Sequence, residues 1–215
     1  MSATVYSDSD AVAWRLAELG LTPEILETAV AKGQLAFDNC TTNHPRMFPP
    51  LAGWAETVRG VREGLIPLGW QISDDRNYAL AVHPSGDTAI AVATGNELTG
   101  LASGTPATKC CKGTSTLEAV MVNVQQLLLF AELSPRSEAK ADAEDKRATW
   151  ILLIHRTREE TRSELSLPVV IGGDGRVTDW RERIILKSIP RDPQPLRIDA
   201  PQLPDLDVPV KRRSA

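Results

Sequence analysis

The sequence predicts an α+β fold, an antiparallel sheet covered by helices, and three observations carry that reading. Apolar residues in the first third recur at spacings of three and four, the middle alternates around a tight turn, and alternation returns after one long amphipathic segment. Short turns between successive strand pairs favour antiparallel pairing over a doubly wound parallel sheet.

The helical region covers residues 1–64. Asp8, Ser9 or Asp10 caps a first helix with Val12, Leu16 and Leu19 on one face, and Gly20 stops it. Thr22-Pro23 starts a second, in which Ile25, Leu26, Ala29 and Val30 precede Gly33. Residues 38–50 hold three prolines and read as loop. A third helix follows Pro49-Pro50, with Leu51, Trp54, Ala55, Val58 and Val61 at helical spacing before Gly64.

An α+β core follows over residues 65–189. Tyr78, Leu80 and Val82 alternate with small residues, Pro84-Ser85-Gly86-Asp87 supplies turn chemistry, and Thr88, Ile90 and Val92 alternate again. Alanines on the intervening positions imply that the second face of this hairpin is also covered. Ser115-Thr116-Leu117-Glu118 matches a capping box and opens a helix carrying Leu117, Val120, Met121, Val124, Leu127, Leu128 and Ala131. Residues 134–147 carry eight charges, four of each sign, and read as a solvated linker. Strands return at 150–155, 164–171 and 180–189, with Gly172-Gly173-Asp174-Gly175 as a turn. Six prolines within residues 190–215 predict an extended tail.

The chain has 215 residues, 42% apolar and 24% charged, with mean hydropathy −0.19, values of a soluble globular protein that can bury a core without metal or disulfide staples. No apolar run is long enough to span a bilayer, and the first residues lack the pattern of a secretory signal, so no membrane association is expected. Cys40, Cys110 and Cys111 form no even framework, which points to a reducing, cytoplasmic setting. His44, His83 and His155 are scattered, so neither a metal site nor a cofactor is expected.

Net charge is −4, unevenly spread. Residues 1–75 hold five Lys/Arg against ten Asp/Glu, 76–135 three against four, and 136–215 sixteen against fourteen. Any nucleic-acid contact therefore belongs to the C-terminal half, and a DNA-wrapping protein, with its large positive excess, is excluded. The two N-terminal helices do not suit a helix-turn-helix: Glu24 and Glu27 would face phosphates, with Lys32 alone to offset them.

Four constellations bear on chemistry. In residues 104–116, Lys109, Lys112, Thr114 and Ser115 stand just before a helix N-terminus, where an anion is favoured, although Lys112 precedes Gly113 and the spacing is not that of a P-loop. A flexible linker ending in an ordinary cap explains the same residues. Vicinal Cys110-Cys111 between two lysines favours thiolate, and partly buried spectator thiols are the preferred alternative reading. His83 and Asp87, with Ser85, are candidate acid and base at a turn, but Ser85 lacks a nucleophile elbow. Arg156, Arg158 and Arg162 are matched by Glu159, Glu160 and Glu164, which predicts cross-strand ion pairs. The basic end of the tail, Lys211, Arg212 and Arg213, is the candidate partner-binding segment.

Residues 86–95 (GDTAIAVATG), 150–156 (WILLIHR) and 179–184 (DWRERI) resemble segments of uncharacterised bacterial proteins carried on mobile elements. The resemblance implies context and no activity. Together these readings favour a non-catalytic interaction or accessory protein of a bacterial cytoplasmic assembly, one associated with nucleic acid or defence and bound to a protein partner. The alternative is a phosphate- or nucleotide-binding enzyme or sensor that uses loop 104–116.

Overall fold

Asp8 opens the helical part: its carboxylate accepts from the backbone N–H groups of Asp10 (3.0 Å) and Ala11 (3.3 Å), and α1 (Ser9–Glu18) follows. The structure is a computed structural model that describes residues 3–131 and 147–191. Pro23 starts α2 (Pro23–Asp38), which runs straight through Gly33. That glycine is a point of close approach, contrary to the stop read from the sequence. A Cβ there would lie 1.9 Å from Thr57 Oγ1 and 2.5 Å from the Gly53 carbonyl, both on α3 (Phe48–Leu65). The bare backbone lets α2 and α3 pack as a tight antiparallel hairpin.

Eight strands form one sheet: β1 (Thr4–Tyr6), β2 (Gln71–Ser73), β3 (Leu80–Val82), β4 (Thr88–Thr94), β5 (Ala148–Arg156), β6 (Glu160–Ile171), β7 (Val177–Ile185) and β8 (Ile189–Pro190). Their order is β1-β7-β6-β5-β4-β3-β2, with β8 continuing beside β6. The α+β class holds, but the sheet is mixed. β4 pairs with β5 and β1 pairs with β7 in parallel, while the remaining pairings are antiparallel. The parallel β4/β5 step is what a crossover connection through α4 (Thr114–Ala131) requires.

Helices lie on both faces. Trp150, Leu152 and Ile154 of β5 turn toward α1–α3, where Leu16, Leu26, Val30, Val61 and Leu65 complete the larger core. Ile151 and Leu153 turn the other way, onto Val120 of α4 and Trp180. Residues 3–64 thus share one core with the sheet, and Thr4–Tyr6 extend the sheet itself. A register shift in the β6/β7 pairing beyond Leu167 allows Trp180 and Ile184 to serve opposite faces.

The ordered body continues past Ile189. Arg191 donates its backbone N–H to Glu159 O (2.7 Å) and its guanidinium to Thr157 O and Asp38. The rest of the Pro-rich tail and most of the charged linker lie outside the described residues, as do the candidates Lys211, Arg212 and Arg213. Among the described residues no helix is long and apolar enough to cross a membrane.

Candidate functional site

The stretch between β4 and α4, rich in Gly, Thr and Ser, is tied down along its length. Asn96 donates its backbone N–H to Ala107 O (2.9 Å), and its side-chain oxygen accepts from the backbone N–H groups of Leu98 (3.3 Å) and Ala107 (3.1 Å). Pro106 O accepts from Trp180 Nε1 at 2.7 Å. Deeper still, Arg183 and Glu164 form an ion pair with side chains 2% and 0% exposed. The Arg183 fork closes on the carboxylate through Nε (3.0 Å) and Nη2 (2.6 Å). The other donors of Arg183 hold Gly104 O (2.8 Å) and Leu101 O (2.9 Å), while Glu164 accepts from Gly100 N–H (2.8 Å) and the Ser166 hydroxyl (2.8 Å). All three guanidinium nitrogens and both carboxylate oxygens are engaged, the condition under which burying two charges is tolerated. The reading of this segment as a flexible linker is corrected: its partners come from β6 and β7.

The four ligand candidates of this loop separate. Thr108 N–H donates to Val177 O (3.0 Å), Lys109 N–H to Thr94 O (2.8 Å) and Lys112 N–H to Gly175 O (2.7 Å). The Lys109 side chain is exposed, whereas Lys112 is half-buried. Burial lowers the basicity of Lys112, and the neighbouring sulfurs of Cys110 and Cys111 act in the opposite direction. Helix α4 begins at Thr114, with the Gly113 carbonyl accepting from Thr116 (3.1 Å) and Leu117 (3.2 Å). The anticipated capping box therefore does not form: Ser115 lies inside the first turn, and Glu118 instead pairs with Arg76 at 2.7 Å.

Ser115 alone of the four lines a polar cleft of about 520 Å³ between α4 and the β2–β3 edge. Arg76, Asp75, Glu118, Arg147 and Tyr78 share its walls. Arg76 and Asn77 both take left-handed backbone (φ 53° and 58°), an uncommon pair for non-glycine residues. The Tyr78 hydroxyl is buried beside Thr116 without a hydrogen bond of normal geometry, and desolvation raises the phenol to about 12. Sequence reading missed this cleft because its walls come from three separate segments.

At the β3–β4 turn the structure does bring His83, Ser85 and Asp87 together. The Ser85 hydroxyl lies 2.6 Å from His83 Nδ1 and donates to Asp87 Oδ1 at 2.5 Å. The hydroxyl thus sits between imidazole and carboxylate, whereas a relay that activates a nucleophile has the imidazole in the middle. The bond from Ser85 holds Asp87 below the usual carboxylate range, with smaller help from Thr88 and His83. The His83 ring packs edge-on to Trp70 (5.1 Å between centroids), which buttresses the turn.

Among the described residues the expected cross-strand ion pairs do not form between the three arginines and three glutamates. Arg162 approaches Glu160 (3.4 Å) along β6 itself, Glu164 serves Arg183 of β7, and Arg156 has no carboxylate partner among the described residues. Arg156 stacks on one side of Phe37 (5.4 Å) and Arg191 on the same ring (5.5 Å). The Arg156 Nε and Nη2 are buried and unpaired, and Nη2 packs close to Gly53. Desolvation, reinforced by the Arg191 charge, brings Arg156 down to about 10, so it stays protonated at neutral pH.

A different surface lies along the other side of α4. Leu117, Val120, Met121 and Val124 face Val169, Val170 and Ile171 of β6 across an apolar groove of about 410 Å³. Met121 is 60% exposed, Val170 43% and Leu117 40%. No protein-family model matches this chain, and neither a curated protein nor a solved structure matches it.

Proposed function

We propose that this protein is a non-catalytic accessory subunit of a bacterial cytoplasmic assembly and that it docks a protein partner through the α4–β6 groove. The observation that supports this reading is the groove itself: large side chains standing in water along a helix and the adjoining strand, with Gln125 as the one polar side chain in its lining. Exposed apolar surface of this kind is a usual mark of a recognition site. Met121 at its centre is unbranched and adapts to differently shaped partners. The occupant with matching chemistry is an amphipathic helix, whose apolar stripe lies along the axis of α4.

The test uses the full chain as bait with Met121→Glu and Leu117→Glu, and Leu68→Glu as a control at an exposed apolar position elsewhere. A stoichiometric partner kept by wild type and the control, and lost by the groove variants at unchanged melting temperature, is the expected result. The same partners on all four baits would overturn the reading. A chain ending at Arg191 separates the tail from the groove, because it keeps β8 and the Arg191 contacts while removing Lys211, Arg212 and Arg213.

A second reading, binding of a small polar ligand, is favoured by the Tyr78 hydroxyl at the Ser115 cleft, a buried donor with no hydrogen bond of normal geometry among the described residues. It keeps Ser115 from the loop hypothesis and replaces the two lysines with Arg76 and Arg147.

A further inference from the structure

Two cysteines adjacent in the chain stand on a fixed frame at the mouth of the pinned loop. Thr108 Oγ1 accepts from Val177 N–H (3.1 Å) and donates to Cys110 O (3.1 Å). The backbone bonds of Lys109 to β4 and of Lys112 to the β6–β7 turn then hold both flanks. Between these anchors lie only Cys110 and Cys111, both free and both exposed. Their Cα atoms are about 3.8 Å apart, as in any trans dipeptide. Two metal–sulfur bonds of about 2.3 Å span at most ~4.6 Å, a distance that χ1 rotation of adjacent cysteines covers. Cys40 shows the contrast. It has no neighbouring thiol, and its Sγ donates to Ala36 O (3.3 Å) inside the last turn of α2.

Lys112 indicates the charge of the occupant. It follows Cys111 directly in the chain, is half-buried, and makes no ion pair among the described residues. A centre that leaves the bis-thiolate with residual negative charge would supply the missing counterion. Soft thiolate ligands select monovalent copper over harder cations, and two thiolates around Cu(I) leave a net charge of one minus.

We propose that Cys110 and Cys111 form a two-coordinate bis-thiolate site for Cu(I), or a monovalent soft cation of the same chemistry, with Lys112 as its counterion. On binding, two S–H bonds break, two metal–sulfur bonds form and two protons go to solvent, with no change of oxidation state. The site is independent of the α4–β6 groove and stands whether or not a partner docks there.

Anaerobic competition of the full chain against the Cu(I)–bicinchoninate complex tests it. Wild type and Cys40→Ser should withdraw one Cu(I) per chain. Cys110→Ser and Cys111→Ser should each bind about 100-fold more weakly, the size of a lost chelate advantage. Lys112→Met should weaken Cu(I) about tenfold through lost charge while leaving capture of neutral phenylarsine oxide unchanged. Circular dichroism establishes that each variant is folded. Equal copper uptake by wild type and the Cys110→Ser/Cys111→Ser double variant, or a loss that follows Cys40, would overturn the proposal. Equal weakening of copper and arsenical binding in Lys112→Met would overturn the role given to the ammonium.

Discussion

Arg183 and Arg156 each withdraw the Nε/Nη2 edge of a guanidinium from water, and they meet opposite fates. Arg183 closes that edge on Glu164 and spends its remaining donors on two loop carbonyls. Arg156 leaves the same edge without an acceptor, sharing the Phe37 ring with a second guanidinium whose carboxylate partner, Asp38, is already engaged. The difference teaches what orders the loop after β4: a fully satisfied charge pair that fixes three backbone groups at once. A half-made arrangement does no such work.

The sharpest way to break the comparison is at Glu164. Glu164→Gln leaves Arg183 buried without its counter-charge, and denaturant unfolding should show a loss of about 3–5 kcal/mol, accompanied by rapid proteolysis within residues 98–104. The double change Glu164→Leu/Arg183→Met should recover only part of that loss, since it removes the unpaired charge but leaves Gly100 N–H and the Leu101 and Gly104 carbonyls without these partners. Arg156→Met should behave differently, shifting stability by less than about 1 kcal/mol, because the lost cation–π contact offsets the relief of two unpaired donors. A loss as large as that of Glu164→Gln would show that the Arg156 fork has a partner after all.

The smallest effect carries the same logic to a neutral group. Up to about pH 10 the Tyr78 phenol is protonated in both folded and unfolded chains. Between that value and about 12 only the unfolded chain ionises, so it binds fewer protons than the native state and stability falls as pH rises. Tyr78→Phe should be nearly neutral at pH 7 and should remove this part of the alkaline loss, as measured by melting temperature from pH 8 to 11.

Elements with their own period were legible in the sequence: the three N-terminal helices, the β3–β4 hairpin around residues 84–87, α4, and the cores of β5 to β7. The parallel β4/β5 step was not, because register between strands separated by a long crossover is set by packing. Gly33 reads as a terminator until Thr57 and Gly53 are seen against it. Strands as short as Thr4–Tyr6 and Ile189–Pro190 carry too few residues to show alternation. Of the candidate residues, the sequence brought His83 and Asp87 together correctly as neighbours in a turn, but it could not reveal that Ser85 stands between them. The Glu164–Arg183 pair was not legible: Glu164 reads as one of three glutamates balancing Arg156, Arg158 and Arg162, and nothing in the sequence couples it to Arg183, whose approach depends on the β6/β7 register.

The parallel pairing of Thr4–Tyr6 with Glu182–Ile184 has a consequence for biosynthesis. β1 is synthesised well before β7, its mate in the sheet, so the two can meet only after the intervening strands have been made. Until they meet, β7 offers a bare rim for intermolecular pairing. Removing the first six residues would make that transient hazard permanent.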